Sequence, residues 1–444
     1  MGPVRVRAPW ALVVALVAAC GGCGGSSGGN ATGQDAGGTA AEASAGDDAG
    51  SSSGDDAGTA DAPAPPPDDG PWPAAHYPMP QFTNMGGPVV ASPKLVPVTF
   101  VGNVRRDAIR TFMTQFVADT DWWTAISSGW SVGAPSLGAA IELPDTVSGQ
   151  TVDDTAQLKP MLQNLVSTGA LPQPDANTIY TIFFPASTTI TLPNYGSSCQ
   201  AFGAYHDSVS IPANGTAQAA YAVIPDCPTP PAADEPMTTT TQDVSHEIAE
   251  AVTDPEPQVK PGWYGFNDAW FRTFGSPQGQ GQGQGEVADV CQRYQPVTDA
   301  NNNPLVRAWV DSAAAASHNP CQPALPGTIF YSLAVPTQTL VSSDGYILVK
   351  KGTTKTVDAV FFSDAKLPGD AQLTIGARSH GTLNPAIGTG ITASLSTATA
   401  HNGVHVTVTL AVDASAASKD YSVTARAALS ATDYHDWPFI LHVP

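Results

Sequence analysis

Two spacings of apolar residues alternate through the middle of this chain, and a third takes over in its last quarter. Residues 95–101 read as a buried strand. Directly afterwards Ile109, Phe112, Met113, Phe116 and Val117 recur at i, i+3, i+4, i+7 and i+8, which predicts a helix over 105–118. A second helical segment over 158–166 stops at Gly169. Residues 178–184 are dense in β-branched and aromatic side chains and predict a central strand, with fainter strands at 205–211 and 219–225. A further helix begins among residues 238–241 and is ended by Pro255. Beyond about residue 327 helical spacing vanishes. Val404, Val406, Val408, Leu410 and Val412 alternate with small or polar residues, the period of a half-buried strand. Roughly seven such runs in about 118 residues predict an Ig-like β-sandwich over 327–444, with no cysteine for an antibody-type core bridge.

The chain before residue 71 has none of these patterns. Arg5 and Arg7 stand ahead of an apolar stretch over 8–19 that ends in small residues, the layout of a secretory signal. Val17-Ala18-Ala19-Cys20 reads as a bacterial lipobox, in which cleavage precedes a cysteine that is then acylated; an ordinary cleaved signal is the competing reading. Residues 1–19 are therefore expected to be a lipoprotein signal peptide and Cys20 the lipid anchor to the membrane. Residues 20–70 carry nine acidic residues and no Lys, Arg, Leu, Ile, Val or aromatic, so they cannot bury a core and predict a disordered Gly/Ser/Ala/Asp tether. Gly21 rather than Asp after the cysteine is what an outer-membrane address looks like in a Gram-negative host. The expected location is extracytoplasmic.

Composition narrows the choice of partners. The 444 residues carry a net charge of -21, with only 13% charged side chains, so no basic stripe exists to neutralise phosphates and nucleic acid is excluded. No stretch reaches the roughly eighteen apolar residues of a membrane span. Export implies an oxidising compartment, so Cys199, Cys227, Cys291 and Cys321 are expected to form disulfides, chain neighbour with chain neighbour. No CxxC pair occurs among them, which argues against a zinc cluster of cysteines.

The chemistry concentrates in Ser245-His246-Glu247-Ile248-Ala249-Glu250-Ala251-Val252-Thr253-Asp254-Pro255. At helical spacing Val244, Ile248 and Val252 share one face, while His246 and Glu250 share another. A zincin uses this geometry in H-E-x-x-H: two ligands one turn apart grip a metal, and the glutamate between them takes the proton of the attacking water. Here Glu250 replaces the second histidine. An anionic ligand lowers the effective charge of the metal and admits harder cations, so zinc is expected, with manganese or calcium as alternatives. The plainer reading is a solvated polar face of an amphipathic helix. His206 on a probable strand, and Glu286 and Asp289 just before Cys291, are candidates for further ligands; each also has an ordinary reading as a bonded strand histidine or a solvated acidic pair. Asp254 before Pro255 is equally accounted for as helix-end chemistry.

In order along the chain, Gly203-x-Tyr205-His206, then His246-Glu247-x-x-Glu250-x-x-Thr253-x-Pro255, Trp263-Tyr264 and Gly285-Glu286-Val287-x-Asp289-x-Cys291 resemble the core of the phosphate-induced/EXORDIUM-like family of secreted proteins. The opening strand, its helix and Trp122-Trp123 also fit, and the resemblance covers about residues 84–295. The chain departs from it in a Gln-Gly loop at 278–285, the lipobox and the C-terminal domain. The resemblance implies one constellation of His246, Glu247, Glu250, His206, Glu286 and Asp289; it implies no settled enzymatic activity.

The expected architecture is thus an α+β zincin-like metal-binding domain over 71–326, a mixed sheet plus helices, followed by the all-β sandwich. Two functions follow from it. One is a metal-dependent hydrolase, a zinc peptidase with Glu247 as general base and a peptide or cell-surface polymer as substrate. The other is a non-catalytic surface binding or adhesion protein in which the same residues hold a structural ion. A serine hydrolase is set aside, because Gly-x-Ser-x-Gly does not occur.

Overall fold

The computed structural model describes residues 70–444 apart from 213–216, 228–236, 266–267, 275–284, 342 and 380–381. The leader, Cys20, all but the last residue of the tether, and all but Gly285 of the Gln-Gly loop lie outside the described residues. In chain order the first part contains β1 (Lys94–Phe100), α1 (Arg106–Ala118), α2 (Thr120–Ser127), β2 (Ser136–Leu137), β3 (Ile141–Leu143), α3 (Lys159–Ser167), β4 (Thr178–Phe184), β5 (Tyr205–Ile211), β6 (Ala217–Pro225), α4 (Thr238–Thr253) and α5 (Ala269–Phe274). The sheet runs β2-β1-β4-β6-β5, with β3 also paired to β1. Its pairings are parallel except at the edge, where β5 runs antiparallel to β6.

Every residue of β4 is buried, because the strand lies at the middle of a sheet covered on both faces. The side chains divide by parity. Ile179 and Phe183 join Ile109, Phe112, Phe116 and the apolar residues of α4 on one face. Tyr180, Ile182 and Phe184 join Leu158, Leu162 and Val166 on the other. The result is a three-layer arrangement with α1, α2 and α4 on one side and α3 on the other. Within β6, Ala220 and Ala222 lie on the α4 side, and side chains this small let the helix settle close to the sheet. On β5 the same parity sends Tyr205, Val209 and Ile211 toward α3 and leaves His206 facing α4.

A polar network on the α3 face holds that register. Tyr205 and Tyr221 each donate a hydrogen bond to Asp154 Oδ1 at 2.7 Å. Lys159 Nζ lies 2.6 Å from Asp207 Oδ2 and 3.7 Å from Asp154 Oδ2. The residues on either side of His206 are thereby tied down, and a slip of one residue would break the whole set.

The last part forms two packed sheets. Its strands are β7 (Tyr331–Ala334), β8 (Gln338–Leu340), β9 (Ser343–Leu348), β10 (Thr353–Ser363), β11 (Ala371–Ser379), β12 (Thr382–Asn384), β13 (Ile391–Leu395), β14 (His405–Val412), β15 (Lys419–Ala428) and β16 (Tyr434–Val443). One sheet has the order β7-β10-β14-β13 and the other β8-β9-β16-β15-β11-β12. With β8 left unlettered as an added edge strand, the lettering in chain order is A-B-E-D against A′-G-F-C-C′, the strand arrangement of an Ig-like sandwich. The expected seven runs become eleven strands among the described residues, counting a two-residue strand, Thr399–Ala400, that pairs with β11, and in part because the opening strand changes sheets. β7 pairs with β10, the chain passes Pro336, and β9 then pairs in parallel with β16. Val406, Val408, Leu410 and Val412 are all buried, as their alternation requires.

No break in apolar packing marks residue 326. One continuous core runs from α1 and α4 through Phe271, Trp309 and Phe330 into Phe361, Phe362 and Trp437. Helix α5 sits against β16, with Trp270 and Trp437 ring centroids 4.4 Å apart. Disulfides join Cys199 to Cys227 and Cys291 to Cys321. Such bonds persist in oxidising compartments, which agrees with an extracellular or cell-surface location. Among the described residues no helix is long and apolar enough to cross a membrane.

Candidate metal centre

Helix α4 ends where the chain turns it off. Asp254 precedes Pro255 and leaves the helical region, with φ -145° and ψ 68°, while its N–H still bonds Glu250 O at 2.7 Å. Val244, Ile248 and Val252 enter the core, each burial contributing about 1.5–3 kcal/mol. Ser245 Oγ accepts from the Val306 N–H at 2.9 Å. The remaining face is not solvated. Every residue from 243 to 253 is buried, His246, Glu247 and Glu250 included, which removes the reading of a charged surface helix. Polar groups sealed in this way must find partners or a cation.

The structure brings all six sequence-derived candidates together. His206 Nδ1 lies 3.3 Å from Glu247 Oε2 and 3.7 Å from Glu250 Oε2. His246 Nε2 lies 3.2 Å from Glu250 Oε1 and 3.6 Å from Asp289 Oδ1. Glu286 Oε1 is 3.6 Å from His206 Nε2. No side chain in the set is more than 4% exposed. Glu286 and Asp289 are held by the segment that follows the Gln-Gly loop. Gly285 O accepts from Gly265 N, Val287 O accepts from Trp309 N, and Cys291 is tied to Cys321. The Asp289 N–H donates to Glu250 Oε1 at 3.1 Å, locking helix and segment together.

Asp254, for which the sequence leaves helix-end chemistry as an equal reading, lies against the site as well. Its carbonyl lies 3.0 Å from His206 Nε2, and its Oδ1 accepts from Gly262 N at 2.8 Å. A carbonyl only accepts, so Nε2 carries the hydrogen and Nδ1 is left facing two carboxylates. Tyr264 was visible only as part of Trp263-Tyr264. Burial first, then the charge of Glu286, raises its phenol well above the usual value, so it stands within electrostatic reach of the cluster. The pairing of β5 with β6 that aims His206, and the short reach from Asp254 to it, leave no mark on local sequence.

Without a cation the cluster is balanced by protons. Burial pulls His206 down, but its hydrogen bond to Glu247 and the charge of Glu250 hold it at about 9. Burial likewise opposes His246, and Glu250 and Asp289 still lift it well above its usual value. Burial pushes Asp289 up to about 7 and Asp254 to about 6, and it raises Glu286 far above the carboxylate range. Glu247 is also raised by burial. Glu250 alone falls, since the histidine charges outweigh its burial.

The donor set fits a divalent metal. Neighbouring donor atoms stand 3.2–3.7 Å apart. That matches the edge of a tetrahedron, about 3.3–3.6 Å, drawn around zinc with bonds of about 2.0–2.2 Å. Glu247 Oε1, Glu286 Oε1 and His246 Nδ1 have no hydrogen-bond partner, and His246 Nε2 makes none of good geometry despite its 3.2 Å approach to Glu250. Two overlapping triads, His206/Glu250/Glu286 and His246/Glu247/Glu250, each bring three ligand atoms within 4.8 Å of one another. Surface clefts of about 490 and 550 Å³ lie elsewhere, one beside His76 and Met79 and the other beside His318 and Asp364.

No protein-family profile matches the chain, and no curated protein matches it in sequence. Among solved structures, domains 4 and 5 of the S-layer protein SbsC match at 13% identity over 26% of this chain and 53% of theirs, with a TM-score of 0.17. The SrpA adhesin from Streptococcus sanguinis matches at 13% identity over 28% of this chain and 60% of its own, with a TM-score of 0.20. A chimeric titin Z1Z2 matches at 15% identity over 26% of this chain and 93% of its own, with a TM-score of 0.17. The chain thus spans about half the length of the SbsC fragment, and likenesses at these scores assign no role.

Proposed function

We propose that this is a non-catalytic cell-surface binding protein whose α/β body is built around a structural divalent cation, zinc by preference. In this reading Cys20 carries the lipid anchor, residues 20–70 form the tether, and the β-sandwich meets a cell-surface polymer or a partner. One observation carries the choice: every donor side chain is at most 4% exposed, so no substrate carbonyl reaches the cluster in this conformation. Two imidazoles among carboxylates favour zinc or manganese over calcium, which takes six to eight oxygen ligands. The resemblance to the EXORDIUM-like family supports a secreted protein without a settled activity.

His206, His246, Glu250 and Asp289 would hold the cation, and its charge would replace the protons now balancing the carboxylates. The test is metal content of the full-length protein, in wild type and His246→Ala. Bound zinc that disappears in the variant supports the centre. No metal in wild type at saturating zinc refutes it.

A zincin-like peptidase is the second reading, favoured by Glu247. This residue stands between the helix donors, its Oε1 is without a partner, and burial raises its carboxyl toward the range a general base needs. A metal there would supply polarisation of the scissile carbonyl. Glu247→Gln separates the two: it abolishes peptide hydrolysis in an enzyme and changes no turnover in a binding protein.

A further inference from the structure

Glu250 does not face one histidine. Its Oε1 lies 3.2 Å from His246 Nε2, and its Oε2 lies 3.7 Å from His206 Nδ1. The two oxygens of one buried carboxylate are therefore turned to two different imidazoles. Each imidazole has a second carboxylate of its own. Asp289 Oδ1 is 3.6 Å from His246 Nε2, and Glu247 Oε2 is 3.3 Å from His206 Nδ1. The nearest approaches thus sort the donors into His246/Asp289/Glu250 and His206/Glu247/Glu250, joined by the bridging carboxylate; Glu247 also lies within reach of His246, and Glu286 within reach of His206.

Charge favours the same division. Glu247, Glu250, Asp254, Glu286 and Asp289 are five buried carboxylates set beside two imidazoles. Among the described residues no Lys or Arg is in their ion pairs. With neutral histidines and all five carboxylates ionised, one divalent cation leaves three negative charges in the interior, whereas two leave one; each proton a carboxyl retains lowers both figures equally. An interior of low dielectric penalises the first state far more heavily. The unpartnered Oε1 atoms of Glu247 and Glu286 and Nδ1 of His246, all in residues at least nine-tenths buried, show that hydrogen bonding within the protein does not complete the site.

We infer that the centre takes two divalent cations, one held by His246 and Asp289, the other by His206 and Glu247, with Glu250 bridging them through separate oxygens. The inference rests on the metal centre proposed above and adds its stoichiometry and its bridging residue. Carboxylate-bridged pairs of this kind place their ions about 3.5–4 Å apart.

The test is equilibrium dialysis of the full-length protein against Zn²⁺, with elemental analysis of the metal bound, and in parallel the spin-resonance spectrum of the Mn²⁺-loaded protein. Two equivalents per chain and an exchange-coupled manganese signal are expected. Asp289→Asn should lower the count to one, because Asp289 approaches His246 and not His206. A single equivalent at saturation with an isolated-ion manganese spectrum overturns the inference and leaves the metal centre standing. No bound metal overturns both. The wild-type count and spectrum decide the matter even where a variant does not fold.

Discussion

Ala222 offers a sharp test of how the site is positioned. It stands directly across from His206 in the β5–β6 pairing, is fully buried, and belongs to the face on which α4 rests. Ala222→Val adds two methyl groups where there is no room for them. Valine suits a strand, so backbone preference does not confound the result. Overpacking of this kind costs about 1–3 kcal/mol. The added volume must push α4 away from the sheet, and α4 carries His246, Glu247 and Glu250 while β5 carries His206. Donor separations of 3.3 and 3.7 Å across that gap already match a metal polyhedron, so a displacement of a few tenths of an ångström spoils them. Errors in ligand placement typically lower metal affinity 10–100-fold, about 1.4–2.7 kcal/mol. Ala219→Val is the control. Ala219 is equally buried on the same strand but is paired with Val209 and faces α3. Urea midpoints in the presence of a chelator should fall for both variants. Zinc affinity, measured by competition with a chromophoric chelator, should fall only for Ala222→Val. Equal affinity in the two variants would refute the argument that α4 and β5 form the two walls of the centre.

Three further outcomes are expected. Replacing Cys291 and Cys321 together by serine opens a loop of 30 residues and should cost about 3–4 kcal/mol in thermal or urea unfolding; because Asp289 lies two residues from Cys291, zinc affinity should fall further than for the Cys199/Cys227 pair. His435 is pulled down to about 3 by burial among Phe330, Tyr331 and Tyr294, and then by the charge of Arg307. A histidine lowered in the fold stabilises above its unfolded pKa near 6.5 and loses that contribution as pH falls toward 3, so His435→Phe should remove roughly 2–4 kcal/mol of the acid-side decline in urea midpoint. Trp270→Ala deletes the ring that α5 packs against Trp437 and should cost about 3–5 kcal/mol. With one core on both sides of residue 326, far- and near-ultraviolet unfolding curves of that variant should still coincide; separate transitions would contradict the continuous core.

The sequence exposed those parts of the fold whose signal is local. The β-branched density of 178–184 marks a strand buried on both faces, and its observed bounds are the expected ones. The period of α1 and the strict alternation in β14 were equally legible, since one face of each meets an apolar core. Helix α2 escaped because eight residues span too little of a helical repeat, although its tryptophans stood out. The polar face of α4 was ambiguous for a deeper reason. Periodicity separates two faces of a helix, but it cannot say whether the second meets water or buried carboxylates from elsewhere. That depends on the parity of His206 in β5 and on the segment around Asp289, both contributed by distant pieces of chain. Asp254 was hidden because a pre-proline residue already explained its conformation, while its carbonyl bond to His206 is purely tertiary.

The two disulfides stand at either end of the donor residues. Cys199 precedes His206 and Cys291 follows Asp289 by two positions, so the donors arrive from three stretches of chain that the cross-links bracket. This sets an order of assembly. A chain crossing a membrane unfolded has its first histidine in the new compartment well before its last aspartate, and no complete polyhedron exists until the final stretch emerges. On the proposed reading, metal would therefore be acquired on the oxidising side, after export. A centre of this kind would record maturation, closing only in a chain that has been both translocated and oxidised.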